Sequence, residues 1–185
     1  MRVEELLDEL ATTGTKPAAG SAAAIVVGLS AALVGMAARS SPDWDEARSI
    51  AAQATALRRR VEPLAESDAE AYADVMRILR EPEELEPRVR DFALGEALAL
   101  AAELPLAIAE AAADAAELAA HTAERCEQSV RADAAGAAWL AAGAARAVAN
   151  LVRVNLGVRE DDVRLRRADE LAVTAERAAQ RAASG

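Results

Sequence analysis

Residues 22–38, Ala-Ala-Ala-Ile-Val-Val-Gly-Leu-Ser-Ala-Ala-Leu-Val-Gly-Met-Ala-Ala, contain no charged side chain. A helix that is apolar on all sides has to be enclosed, by protein or by lipid. This run is rich in Ala and Gly, ends at Arg39 and falls short of the ~20 residues that cross a bilayer. It therefore reads as a buried core helix rather than a membrane span. Ala24, Gly28 and Ala32 recur at four-residue spacing and let a neighbouring helix approach closely. Hydrophobic residues make up 53% of the chain and aromatics only 2%, so the apolar mass is Ala, Leu and Val. Alanine is the best helix former, and a sheet of this size would draw on more aromatic and β-branched residues. A length of 185 residues suits one core. The expected architecture is an all-α, single-domain bundle over residues 1–185, with five to six helices around a central apolar Ala/Gly-rich helix.

Helical periodicity divides the chain. A first helix covers about 2–12, with Leu6, Leu7 and Leu10 as its stripe, and Gly14, Lys16 and Pro17 end it. The apolar helix runs from about 19 to 39. A third spans about 43–80, with Pro63 expected to kink or split it. After a proline-bounded acidic loop, a fourth covers about 89–124 with a kink expected at Pro105. A fifth covers about 129–155 and stops at Gly157, and a sixth starts near Asp161 and Asp162 and runs to about 182.

The formal net charge of −10 argues against a nucleic-acid partner and against docking on anionic lipid. One cysteine, Cys126, allows no disulfide within the chain, and the N-terminus lacks the apolar core of a signal peptide. A cytoplasmic location is the expectation.

Few residues carry chemistry. Glu110, Asp114, Glu117, His121 and Glu124 share a helix face, but the Glu-x-x-His spacing of di-iron bundles is absent. A solvated charged face is expected there, with no metal. Cys126 reads as a buried or idle thiol. Asp68, with Tyr72 one turn later, and Asp133, followed by Ala-Ala-Gly-Ala-Ala-Trp-Leu, each place a carboxylate in a small-residue, apolar helix. An apolar wall raises a carboxylate's pKa and suits it to proton transfer. The competing reading is an aspartate near a helix start, facing solvent. Asn150 and Asn155 are costly groups late in an apolar helix; they serve either a ligand or the backbone at the helix end.

Taken in order, these segments resemble the cyclodeaminase and methenyltetrahydrofolate cyclohydrolase family. Its Pro-x-Pro-Gly-Gly-Gly-Ser turn corresponds to Thr15-Lys16-Pro17-Ala18-Ala19-Gly20-Ser21. Its Asp and Ala-Tyr element corresponds to Asp68-Ala69-Glu70-Ala71-Tyr72, and its Pro-Leu-x-x-Ala-Glu segment to Pro105–Glu110. Ala132-Asp133-Ala134 matches part of a Ser-Asp-Ala element, and Asn150 to Leu156 matches Asn-Val-x-x-Asn-Leu. Alanines replace two of the three turn glycines. Alanine is costly at positive φ, so the turn must differ there.

The resemblance implies a homodimer that binds a reduced folate as its small-molecule substrate and holds no tightly bound cofactor. It implies either hydration of methenyltetrahydrofolate to 10-formyltetrahydrofolate or closure of formiminotetrahydrofolate with loss of ammonia. The absence of a fused formiminotransferase domain favours the first. Asp133 is the first choice for acid–base work and Asp68 the second. Lys16, Gly20, Ser21, Tyr72, Asn150 and Asn155 would contact the substrate, and Lys16, Arg131 or Arg153 would meet its anionic tail. Two other expectations stand beside this one: an enzyme on the same scaffold with a non-folate substrate, and a non-catalytic helical binding or assembly protein.

Overall fold

The computed structural model describes residues 2–12, 19–80, 86–157 and 161–184, and every regular element among them is helical. The order is α1 (Val3–Ala11), α2 (Ala19–Arg39), α3 (Ala47–Arg80), α4 (Pro87–Ala101), α5 (Glu103–Arg125), α6 (Arg131–Asn155) and α7 (Val163–Ser184). A short 3-10 turn, Gln128–Val130, leads into α6. The expected all-α bundle is what forms.

Alanine builds the core. α5 turns Ala109, Ala112, Ala116 and Ala120 inward, and α6 presents Ala134, Ala138, Ala141 and Ala145 to it. Such short side chains let these helices lie close together. α5 packs on α2, α3, α4, α6 and α7 and holds the middle of the bundle. α2 contributes Ala24, Val27, Ala31 and Val34 to the same core, but its outer side is open and Leu29 is 55% exposed. The Ser30 hydroxyl donates to the Ala137 carbonyl at 2.8 Å and pins α2 to α6. Ala19 and Ala22 lie beside Gly143 and Ala147, so the two helices run antiparallel. By length and composition α2, residues 88–125 and residues 128–155 are each apolar enough to cross a membrane, and 56% of the α2 window is buried within the protein.

Helix boundaries depart from the periodicity at three prolines. α3 starts at Ala47 rather than near Pro42, because residues 41–47 form turns: Trp44 N–H donates to Ser41 O and Ala47 N–H to Trp44 O. Pro63 sits inside an uninterrupted α3. Its ring cannot serve the Arg59 carbonyl, but Arg59 is exposed and water is at hand. The segment expected as one helix kinked at Pro105 is two helices, α4 and α5, meeting at Ala102. Pro105 lies in the first turn of α5, where a missing N–H is tolerated, yet it leaves the Ala101 carbonyl without a donor four residues on. The Asn155 side-chain amide supplies one at 2.9 Å.

Arg164, at the start of α7, locks this junction. It donates to Ala99 O at 2.8 Å, to Glu103 at 2.6 Å and to Asp162 at 2.8 Å, and only 17% of its side chain is exposed. Arg164→Ala therefore removes the guanidinium that pairs with the mostly buried Asp162 carboxylate and satisfies the Ala99 carbonyl at the end of α4. A loss of about 2 kcal/mol in urea unfolding is expected, against less than about 0.5 kcal/mol for Arg58→Ala on the surface.

Candidate functional site

The first turn of α2 and the middle of α3 meet at one polar contact. Ser21 is buried and its hydroxyl donates to the Ala65 carbonyl at 2.7 Å, with the Asp68 carboxylate 3.3 Å away. The Ser21 backbone N–H also donates to Asp68. That N–H is one of the groups a helix start leaves without an intrahelical acceptor, so Asp68 caps α2 from a neighbouring helix. Gly20 makes the approach possible, since a Cβ there would stand 2.5 Å from Asp68 Cγ. No described residue has positive φ, so Ala19, the first residue of α2, occupies a conformation alanine accepts. Lys16, like Thr15, Pro17 and Ala18, lies outside the described residues.

Asp68 is 9% exposed. Burial pushes its pKa above the ordinary carboxylate value, and the hydrogen bonds from the Ser21 side chain and backbone work the other way. The result is a carboxylate that ionises reluctantly and binds a proton readily, the property a general base needs. Ser21→Ala removes one of the opposing hydrogen bonds. Any activity that depends on ionised Asp68 should then have its acid limb displaced to higher pH, read from the pH–rate profile of the variant against the wild type.

Beside this contact an apolar groove of about 270 Å³ runs between α2 and α3, walled by Ala24, Ile25, Leu29 and Val61. Arg58 and Glu62 stand at its rim as an ion pair at 3.0 Å. The sequence gives no sign of this groove, because Arg58 and Glu62 have the i, i+4 spacing of an ordinary surface pair.

Gly20, Ser21 and Asp68 thus come together, with Tyr72 one turn further along α3 and 41% exposed. Asp133 does not join them: it lies exposed in the first turn of α6. Ser30 and Ala137 fix the register, with Ser21 nine residues to one side on α2 and Asp133 four residues to the other on α6. At 1.5 Å per residue, the two aspartates are roughly 20 Å apart along the bundle. Asn150 is exposed and accepts from Arg153, which also pairs with Asp169. Asn155 is engaged with the Ala101 carbonyl, the backbone alternative for this residue.

The acidic face of α5 is laced with polar contacts: Asp114 pairs with Arg60 and Glu117 with Arg181, and His121 Nε2 lies 3.2 Å from the Glu46 carboxylate. Among the described residues no group of three or more His, Cys, Asp or Glu side chains is placed to hold a metal. Cys126 is buried, and burial raises its thiol pKa.

A helical bundle with a reluctant carboxylate seated on a Gly-Ser helix start defines a protein with a candidate acid–base centre. The family model for formiminotransferase-cyclodeaminase matches residues 2–173, and the chain belongs to that family. Its fold is similar to that of a formiminotetrahydrofolate cyclodeaminase from Thermotoga maritima, with a TM-score of 0.86 and 22% identity, covering 100% of this chain and 94% of that one. No curated protein matches the chain.

Proposed function

We propose that this protein acts on the one-carbon bridge of a reduced folate. The observation that carries the reading is the buried Asp68 carboxylate on Gly20 and Ser21, in segments that resemble the family's glycine turn and aspartate element, within a chain that belongs to that family. The bridge is cationic in methenyltetrahydrofolate, and a carboxylate offsets that charge as the carbon is attacked. In hydration, water adds to the bridge carbon and loses a proton to Asp68. The bond from that carbon to one ring nitrogen then breaks as the nitrogen takes a proton, leaving the formyl group on the other. Closure of formiminotetrahydrofolate uses the same pair of nitrogens in the opposite sense: one attacks the formimino carbon, and ammonia departs with a proton. The groove beside Asp68 suits the flat, apolar face of the ring system. The same reading makes the protein a homodimer with no tightly bound cofactor.

The test is the decay of methenyltetrahydrofolate absorbance, and ammonia release from formiminotetrahydrofolate, each against buffer at the same pH. Saturable acceleration of either reaction is expected. Buffer rates for both overturn the reading.

A further inference from the structure

The groove between α2 and α3 begins at the Asp68 seat and ends at a cation. The two helices run antiparallel, since Ser21 meets Ala65 and Asp68 while Gly35 lies against Ala54. Ala24 and Ala65 therefore bound the groove at the Ser21 end, and Ala32 and Arg58 bound it at the other. From Ala65 to Arg58 is seven residues of α3, or about 10 Å. Helix packing accounts for neither of two features here. Arg58 precedes Glu62, the weaker order for an i, i+4 pair, and both side chains are about half exposed, so their 3.0 Å contact adds little stability. At Gly28 a Cβ would meet only Val61 Cγ1, at an ordinary 3.7 Å. Alanine would fit there and suit the helix better, whereas glycine keeps the floor of the groove clear.

Such a groove fits a flat apolar group that ends in an anion. A reduced folate has that form on one side of its one-carbon bridge: an aromatic ring, then a glutamate tail. In the extended molecule the bridge carbon and the tail's α-carboxylate are about 10 Å apart, with the ring between them. We propose, resting on the folate reading above, that Arg58 binds this α-carboxylate while the ring lies over Gly28. Glu62 occupies the guanidinium in the free protein and is displaced by the substrate, one carboxylate for another on the same fork. A chain of net charge −10 needs a local cation to hold an anionic tail. The other arginines expected in that role are placed elsewhere: Arg131 opens α6 two residues before Asp133, and Arg153 is paired with Asp169.

Steady-state kinetics decide it, on whichever of the two folates the wild type turns over. Arg58→Ala should raise KM at least about tenfold and leave kcat within about twofold, because the tail is held equally in ground and transition states. Glu62→Gln should lower KM about threefold, and should change nothing in an Arg58→Ala background. A substrate amidated at the α-carboxylate should cost the wild type the same factor as Arg58→Ala, and should cost that variant nothing more. Gly28→Ala should resist urea at least as well as the wild type and yet raise KM about fivefold. An unchanged KM in Arg58→Ala, or an equal loss on amidation in both proteins, places the tail elsewhere and overturns the assignment. Glu62→Gln with an unchanged KM, or with one lowered equally in both backgrounds, overturns the exchange of carboxylates. Gly28→Ala with an unchanged KM overturns the seat of the ring. A wild type inactive on both folates sinks the folate reading and this assignment with it, whereas an active wild type indifferent to Arg58 sinks the assignment alone.

Discussion

The Asp68→Asn protein should melt at a higher temperature than the wild type at pH 7 and turn over folate at least about a hundredfold more slowly. Burial raises the pKa of Asp68 above its ordinary value of 3.8, so the folded protein favours the protonated form. A carboxyl group of this kind contributes its full stability below the unfolded-state value and loses it as pH rises through the folded-state value. At neutral pH the wild type therefore lacks part of the stability that a group neutral at every pH keeps in this buried seat. Asparagine is neutral at every pH. Its Oδ1 can still accept from the Ser21 N–H, and its amide can donate to the Ser21 oxygen, whose own proton goes to Ala65. The melting-temperature gap should shrink as pH falls towards 3.8, which thermal scans at several pH values would read directly. A variant that melts no higher than the wild type at pH 7 would show that the carboxylate carries no such penalty. Unchanged turnover would remove Asp68 from the chemistry.

Gly20→Ala should have the second largest effect. In an open helix this change gains stability, because alanine is the better helix former. Here the new methyl carbon would lie 2.5 Å from Asp68 Cγ, and Ser21 holds that carboxylate in place. A destabilisation of about 2 kcal/mol is expected, with turnover reduced more than about tenfold as the carboxylate is driven out of its seat. The second arm of the cycle is Gly20→Ala in an Asp68→Ala background. With the obstacle gone, the same substitution should be neutral or stabilise by about 0.5 kcal/mol. Equal effects in the two backgrounds would mean that Gly20 and Asp68 do not touch.

The architecture was legible where periodicity alone decides. α2 announces itself because nothing charged interrupts residues 22–38, and α6 and α7 begin and end close to their capping signals. The break at Ala102 was less legible, because Pro105 marks trouble without saying on which side the helix gives way; Asn155, fifty residues later, is what satisfies the carbonyl. The candidate site divides similarly. Asp68 and Asp133 look alike as carboxylates in small-residue helices, yet one faces the end of α2 and the other faces water. That difference depends on which helix lies opposite, which spacing along one helix does not encode. The uncovered strip on α2 was hidden for the opposite reason: an all-apolar helix reads as enclosed, whichever molecule does the enclosing.

The alanine core has a consequence for precision. A methyl group has no rotamers, so ordering Ala109, Ala112, Ala138 and Ala141 loses no side-chain entropy and leaves no alternative conformers to populate. The spacing of α2, α5 and α6 is then fixed by backbone against backbone, as in a frame of rods clamped at their shafts. Thermal motion within such a frame shifts whole helices rather than individual groups. The seat that the first turn of α2 offers to Asp68 is accordingly held by the geometry of the entire bundle, and a single enlarged alanine far from Ser21 would be felt there as a change in alignment.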